Sequence, residues 1–172
     1  MPQRNIQELI ASYPVELPSY IELYKHFHLH PELSNQEKET AETCATYLAR
    51  LGDFEIHTHI GGYGLAGVLR NGPGQTILIR GEMDALPVLE QTGLSYASTI
   101  TTVDSSGIKQ PVMHACGHDS PSASMLLPSY SVLDIHTNSL ISAHDMFTSC
   151  CRSSGWHQRI MEWNFDYTLS AS

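Results

Sequence analysis

The sequence predicts an α/β domain: helices packed on a twisted, mostly parallel sheet, followed by an irregular C-terminal tail. Three observations predict it. A helical apolar stripe runs through residues 41–51. Strand-like alternation follows at residues 54–60. A continuous apolar run, Ile77-Leu78-Ile79, then ends in a loop rich in carboxylates.

In chain order, residues 1–17 form an N-terminal arm with one short helix expected near Ile6–Ser12. Pro14 and Pro18 interrupt helical continuation there. From Tyr20 to His30, the apolar residues Ile21, Leu23, Tyr24, Phe27 and Leu29 predict a half-buried helix. His26, His28 and His30 stand at alternate positions in it. That spacing scatters side chains around a helix axis, so the triplet reads as structural rather than as one ligand face. Pro31 ends the helix. Ser34-Asn35-Gln36-Glu37 then reads as a capping box, with the Ser34 hydroxyl on the new helix and Glu37 reaching back. Ala41, Cys44, Ala45, Leu48 and Leu51 follow at helical spacing, and Gly52 supplies the stop. Cys44 lies on this stripe and reads as a small core residue.

Phe54, Ile56, Thr58 and Ile60 alternate with Glu55, His57 and His59, which predicts a half-buried strand with two His on its polar face. Gly61-Gly62 breaks it. Residues 65–69 and 76–80 read as two further strands joined by the turn Asn71-Gly72-Pro73-Gly74. The apolar run in the second predicts a central strand covered on both faces. It ends in Gly81-Glu82-Met83-Asp84-Ala85-Leu86-Pro87, where Glu82 and Asp84 share one side of the chain. Open α/β sheets place their chemistry beyond such strand ends. Residues 88–110 read as a long loop, a length that usually serves a purpose.

Composition narrows the function. A chain of 172 residues is one domain in size, and 41% hydrophobic with 16% charged residues is globular. The net charge is −9, with only nine Lys and Arg, which argues against nucleic acid or anionic membrane as a partner. Cys44, Cys116, Cys150 and Cys151 show no disulfide spacing, so a reducing, cytoplasmic setting is expected. The first residues lack the apolar core of a signal peptide, and no apolar run approaches a membrane span.

The densest chemistry lies in His114-Ala115-Cys116-Gly117-His118-Asp119. Cys116 and His118 are two apart, so an extended loop points both to one side, as half a site for a zinc-like ion. The plainer alternative is a buried Cys beside a hydrogen-bonded His. The flanking His114 and Asp119, together with the upstream Glu82 and Asp84, favour a metal.

Three segments in this order resemble the N-terminal part of metallopeptidase family M-twenty. They are His30-Pro31-Glu32-Leu33-Ser34, Arg80 to Pro87, and Met113 to Asp119. The most similar branch is the amidohydrolases that include hippurate hydrolases and indole-acetyl-amino-acid hydrolases. The resemblance covers roughly residues 20–119. It implies an incomplete zinc-exopeptidase-like catalytic domain and a metal-dependent hydrolase of N-acyl amino acid amide bonds, with a small-molecule N-acyl amino acid as substrate. It implies a pair of divalent ions, zinc or manganese. Cys116 and His118 match metal ligands, and Asp84 matches a carboxylate that orients a ligand. Glu82, His114 and Asp119 are expected around them.

The sequence also departs from the family. Members continue with a Glu-Glu pair carrying the catalytic base, two more His ligands and a small dimerisation domain. Here Glu162 is the only Glu after Glu90. The expected division is therefore residues 1–119 as the N-terminal part of a metallo-amidohydrolase catalytic domain and 120–172 as a divergent tail, truncated and without activity of its own. Asp134-Ile135-His136 looks like a displaced continuation of the motif, which would make residues 119–133 an insertion. Pro121 and Pro128 within it are expected to oppose a helix. Two alternatives stay open. One is a non-catalytic fragment that binds a metal weakly or pairs with a full-length relative. The other is a cysteine hydrolase using Cys116 with His114 or His118.

Overall fold

A computed structural model describes residues 17–52, 54–70, 77–126 and 144–148. The expected helix at Ile6–Ser12, the turn at 71–74, and Asp134 and His136 lie outside these residues. The elements are α1 (Leu17–Leu29), α2 (Lys38–Arg50), β1 (Phe54–Ile60), β2 (Gly64–Leu69), β3 (Ile77–Gly81), β4 (Thr101–Val103), β5 (Lys109–Pro111), α3 (Asp119–Leu126) and β6 (His144–Thr148). Among the described residues, no helix is long and apolar enough to cross a membrane.

Pro18 does not stop α1. It falls in the first helical turn, where amides have no intrahelical partner and a missing N–H costs nothing. The helix turns Phe27 and His28 inward, while Ile21 and Leu29 stay over a third exposed.

The cap of α2 differs from the expected box. The helix starts at Lys38, and the Glu37 side chain makes no cap bond to it. Glu32 takes that place: its two carboxylate oxygens accept the amides of Glu39 (3.1 Å) and Thr40 (2.7 Å), and one also accepts the Thr40 hydroxyl (2.8 Å). A carboxylate there is doubly favoured, since it meets orphan amides at the positive end of the helix dipole. Glu37 does reach back, but to the Asn35 amide at 2.8 Å, because Asn35 turns the chain with φ 67°. The stripe itself is as expected: Ala41, Cys44, Leu48 and Leu51 are buried, and Gly52 ends the helix with φ 78°. Burial pushes the Cys44 thiol up to about 12.

The main sheet has the order β1-β2-β6-β3. The pairings β1–β2 and β2–β6 are antiparallel, and β3–β6 is parallel. The domain is α/β, with its parallel part confined to one pairing among the described residues. The strand buried along its whole length is β2, and among the described residues β3 lies at one end of this sheet rather than at its centre. An apolar run marks a covered strand but not its position in the order. The alternation in β1 holds only to His57. The register then shifts before Ile60, and His59 has φ 62°. His57 leans on Glu55 at 3.1 Å and His59 on the Thr58 hydroxyl at 2.9 Å, so each has its own local partner rather than a shared focus. The loop expected at 88–110 contains the short hairpin β4–β5, its turn held by Asp104, which accepts the amides of Ser106 and Ile108 at 2.9 Å each.

The core gathers Phe27, Cys44, Leu48, Leu65, Met83, Ala123 and Leu126. Each fully buried Leu there contributes roughly 1.5–3 kcal/mol. Ala123 and Leu126 belong to α3, which packs on α1, α2 and β3. The expectation that Pro121 opposes a helix therefore fails. Pro121 is the third residue of α3, still within the turn whose amides lack intrahelical partners. Residues 119–126 join the core, and residues 127–133 lie outside the described residues.

Candidate metal centre

The three segments that carry the family resemblance meet along one seam. The loop after β3 is stitched on one side to Leu33, where the Ala85 amide donates to the Glu32 carbonyl at 2.7 Å. On the other side Leu86 and Met113 exchange two backbone bonds of 3.0 Å. Backbone pairing on both flanks places Glu82 and Asp84 beside the turn that follows Met113. In that turn the Gly117 amide closes on the His114 carbonyl at 3.0 Å, and Gly117 takes φ 76°, a value glycine adopts without strain.

His118 stands at the centre of the cluster. Its Nδ1 lies 2.7 Å from Asp84 Oδ1 and 3.0 Å from the Asp84 carbonyl. Its Nε2 lies 3.0 Å from Glu82 Oε2. Glu82 is tied in turn to Arg80 at 2.7 Å, and its carbonyl accepts the Ser122 hydroxyl of α3 at 3.0 Å. One ligand-type atom from each of Glu82, Asp84 and His118 lies within 4.8 Å of the other two. Carboxylates only accept, so the Asp84 contact fixes Nδ1 as the donor and leaves Nε2 facing the Glu82 carboxylate.

His114 lies just upstream and is 5% exposed. Among the described residues no group hydrogen-bonds either of its ring nitrogens. Burial pushes its pKa down to about 4. Asp119 and Asp84 pull it upward, while His118 and His28 push it further down. It is thus a neutral imidazole, the form that binds metals, at neutral pH. The donor set brought together, one imidazole and two carboxylates, fits a divalent ion. Cys116 is exposed and lies outside the trio of Glu82, Asp84 and His118.

Asp119 is 2% exposed and bonds to α1. Its Oδ2 lies 2.6 Å from His28 Nδ1, and its Oδ1 accepts the Ser120 amide at 2.9 Å. The other ring nitrogen of His28 lies 2.9 Å from Glu90 Oε1. Sequence reading linked neither His28 nor Glu90 to this motif: His28 was one of three His read as structural, and Glu90 fell without a reading of its own in the loop 88–110. A groove of about 900 Å³ runs between α1 and α2 past Leu23, His26, Tyr47 and Arg50, and it contains no residue of the cluster.

No family model matches the chain. Individual proteins do. It is 38% identical over 103 residues to an N-acyl-L-amino acid amidohydrolase of Geobacillus stearothermophilus, covering 59% of this chain and 25% of that one. It is 39% identical over 115 residues to a hippurate hydrolase of Campylobacter jejuni, covering 66% of this chain and 27% of that one. The chain thus spans about a quarter of the length of the curated relatives it matches. Among solved structures, one from methicillin-resistant Staphylococcus aureus, provisionally assigned as an aminohydrolase, superposes with TM-score 0.73 at 32% identity. It covers 94% of this chain and 39% of that one. A Bacillus subtilis protein, described as a dinuclear metal-binding peptidase of family M-twenty, superposes with TM-score 0.69 at 28% identity, covering 84% and 38%.

Proposed function

We propose that this chain, a homologue of the N-terminal part of the family M-twenty amidohydrolases, carries part of the metal centre of a hydrolase acting on N-acyl amino acid amide bonds. One observation carries the reading: His118 is held between Asp84 on one ring nitrogen and Glu82 on the other. An imidazole whose Nδ1–H donates to a carboxylate offers Nε2 to a cation with the ring already oriented. Asp84 then has the positioning role, His118 and Cys116 are ligands, and Glu82 stands within reach as a further oxygen donor. His114 lies behind them as a second neutral imidazole. The ion is zinc or manganese, with two ions in the complete family site. The chemistry such an ion supplies is Lewis acidity toward water and toward the amide carbonyl.

The residues described here bind and orient; none is placed as the proton-transferring base. Glu162 is the only Glu after Glu90, and no Glu-Glu pair follows the motif. We therefore expect residues 1–172 to be inactive alone. This also supports a second reading, a non-catalytic chain that binds metal weakly or pairs with a full-length relative. Losing a general base typically forfeits about a hundred- to ten-thousand-fold in rate. A cytoplasmic setting suits the exposed thiol of Cys116.

The test is incubation of the purified chain with N-benzoylglycine and Zn²⁺ or Mn²⁺, reading both turnover and ligand binding by saturation-transfer NMR. Metal-dependent binding without turnover is the expected result. Turnover abolished by Asp84→Asn would support the hydrolase and overturn the inactivity. Absence of both metal-dependent binding and turnover would overturn the amidohydrolase reading.

A further inference from the structure

His28 is the one imidazole in the described chain set between two buried carboxylates. Its side chain is 6% exposed, that of Glu90 0% and that of Asp119 3%. Both partners only accept, so both ring nitrogens donate. Burial opposes charge on the ring, but the bonds to Glu90 and Asp119 outweigh it and raise its pKa. The carboxylates are fixed from their other sides as well. Glu90 accepts the Thr92 hydroxyl and the Ser98 amide at 2.5 Å each, and Asp119 accepts the Ser120 amide. Tyr24 and Tyr96 flank the His28 ring, with centroids at 5.8 and 5.3 Å. Tyr20 adds a second tie from α1 to the start of α3, through Ser120 at 3.1 Å.

A buried trio of this kind is a poor way to gain stability, since apolar residues of the same volume often do as well or better. Its location suggests another use. Asp119 follows His118 directly. The side chains of these neighbours are anchored separately, His118 on Asp84 and Asp119 on His28. Two anchors on adjacent residues leave the peptide between them little freedom, and with it the turn bearing Cys116. We propose that His28 is a positioning residue of the metal centre, locking Asp119 against Glu90 so that His118 and Cys116 are held ready for the ion. This rests on the reading of those two residues as ligands.

Cobalt titration of the full chain tests it, reading the dissociation constant, the thiolate-to-cobalt charge-transfer band and the d–d bands at saturation. Circular dichroism and thermal melting accompany each variant. His28→Gln and Asp119→Asn should weaken cobalt binding about 10- to 100-fold, as is typical for groups that orient ligands, and shift the d–d bands. Glu90→Gln keeps His28 on Asp119 and should cost less, about threefold on the same scale. Gly67→Ala crowds Leu48 and Phe54 where α2 packs on β2, outside the three segments that meet at the site. It should lower the melting temperature while leaving affinity within twofold and the bands unchanged. If His28→Gln fails to fold, Asp119→Asn and Glu90→Gln carry the test. Wild-type affinity and bands in Asp119→Asn, or an equal loss in Gly67→Ala, would overturn the positioning role. Wild-type protein that takes up no cobalt, or that binds it identically after Cys116→Ser, would instead remove the ligand reading and this inference with it.

Discussion

Gly67 lies buried in β2, under α2. A Cβ built there would stand 3.1 Å from Leu48 Cδ1 and 3.3 Å from Phe54 Cδ1. Carbon atoms pack best at about 3.5–4.0 Å, so Gly67→Ala forces both side chains to yield by a few tenths of an ångström. Overpacking of that sort costs about 1–3 kcal/mol. The backbone angle at Gly67 is one any residue accepts, so the stiffer unfolded chain returns about 0.4–1 kcal/mol. The net loss should be about 0.5–2 kcal/mol. Leu48 is fully buried, and Leu48→Ala should cost about 2–5 kcal/mol. In the double variant the new methyl stands where the leucine branch was. The strain disappears and the hole shrinks, so the pair should cost less than the sum by about 1–2 kcal/mol. Urea unfolding of the four proteins, with m-values compared to confirm a common unfolded state, measures this. Additivity within about 0.5 kcal/mol would mean that Leu48 and Gly67 do not touch, and that α2 is not docked on β2 in this register.

Two further predictions concern titration and reactivity. Cys116 should react with a thiol reagent in the native protein while Cys44 stays protected until unfolding, since one is exposed and the other buried with its thiol pushed up to about 12. Peptide mapping after brief labelling checks this, and early modification of Cys44 would contradict the core. Without metal, His114 should make the fold acid-sensitive. Its pKa falls from 6.5 to about 4 on folding, so the unfolded chain takes up a proton that the native state refuses. Stability is whole above pH 6.5 and declines as pH falls toward 4, by about 3 kcal/mol in all. His28 has the opposite sign, its contribution being full below pH 6.5 and fading as pH rises through its raised value. Urea unfolding at several pH values should show the acid decline in wild type and a flatter profile in His114→Leu. Equal slopes would show that His114 is not buried as a neutral ring.

Much of the fold was legible because periodicity reports burial directly. The stripe from Ala41 to Leu51 could bury only one helix face, and Cys44 and Leu48 are fully buried. The grouping of Glu82, Asp84 and His118 was legible for another reason: they occupy short motifs of chemical residue types, and the fold brings one atom of each within 4.8 Å of the others. What stayed hidden depends on contacts distant in sequence. Glu32 caps α2 from the preceding turn, where a local rule pointed to Ser34. His28 meets Asp119 across 91 residues and Glu90 across 62, and no periodicity encodes such a meeting. Strand order escaped for the same cause, since Ile77-Leu78-Ile79 reports coverage and not which neighbours flank it. Pro121 misled because the cost of proline depends on its place in a helix, and the start of α3 was not evident from residues 119–126 alone.

The central claim is that His118 and Cys116 belong to one metal site. Equilibrium dialysis against Zn²⁺ at neutral pH, with elemental analysis of the retained metal, tests it most directly. Wild type and Cys44→Ser should hold zinc weakly and to at most one equivalent, since a Cys and a His alone leave a four-coordinate ion half-liganded. Cys116→Ser and His118→Asn should each abolish that retention. Equal zinc retention by wild type, Cys116→Ser and His118→Asn would contradict the account.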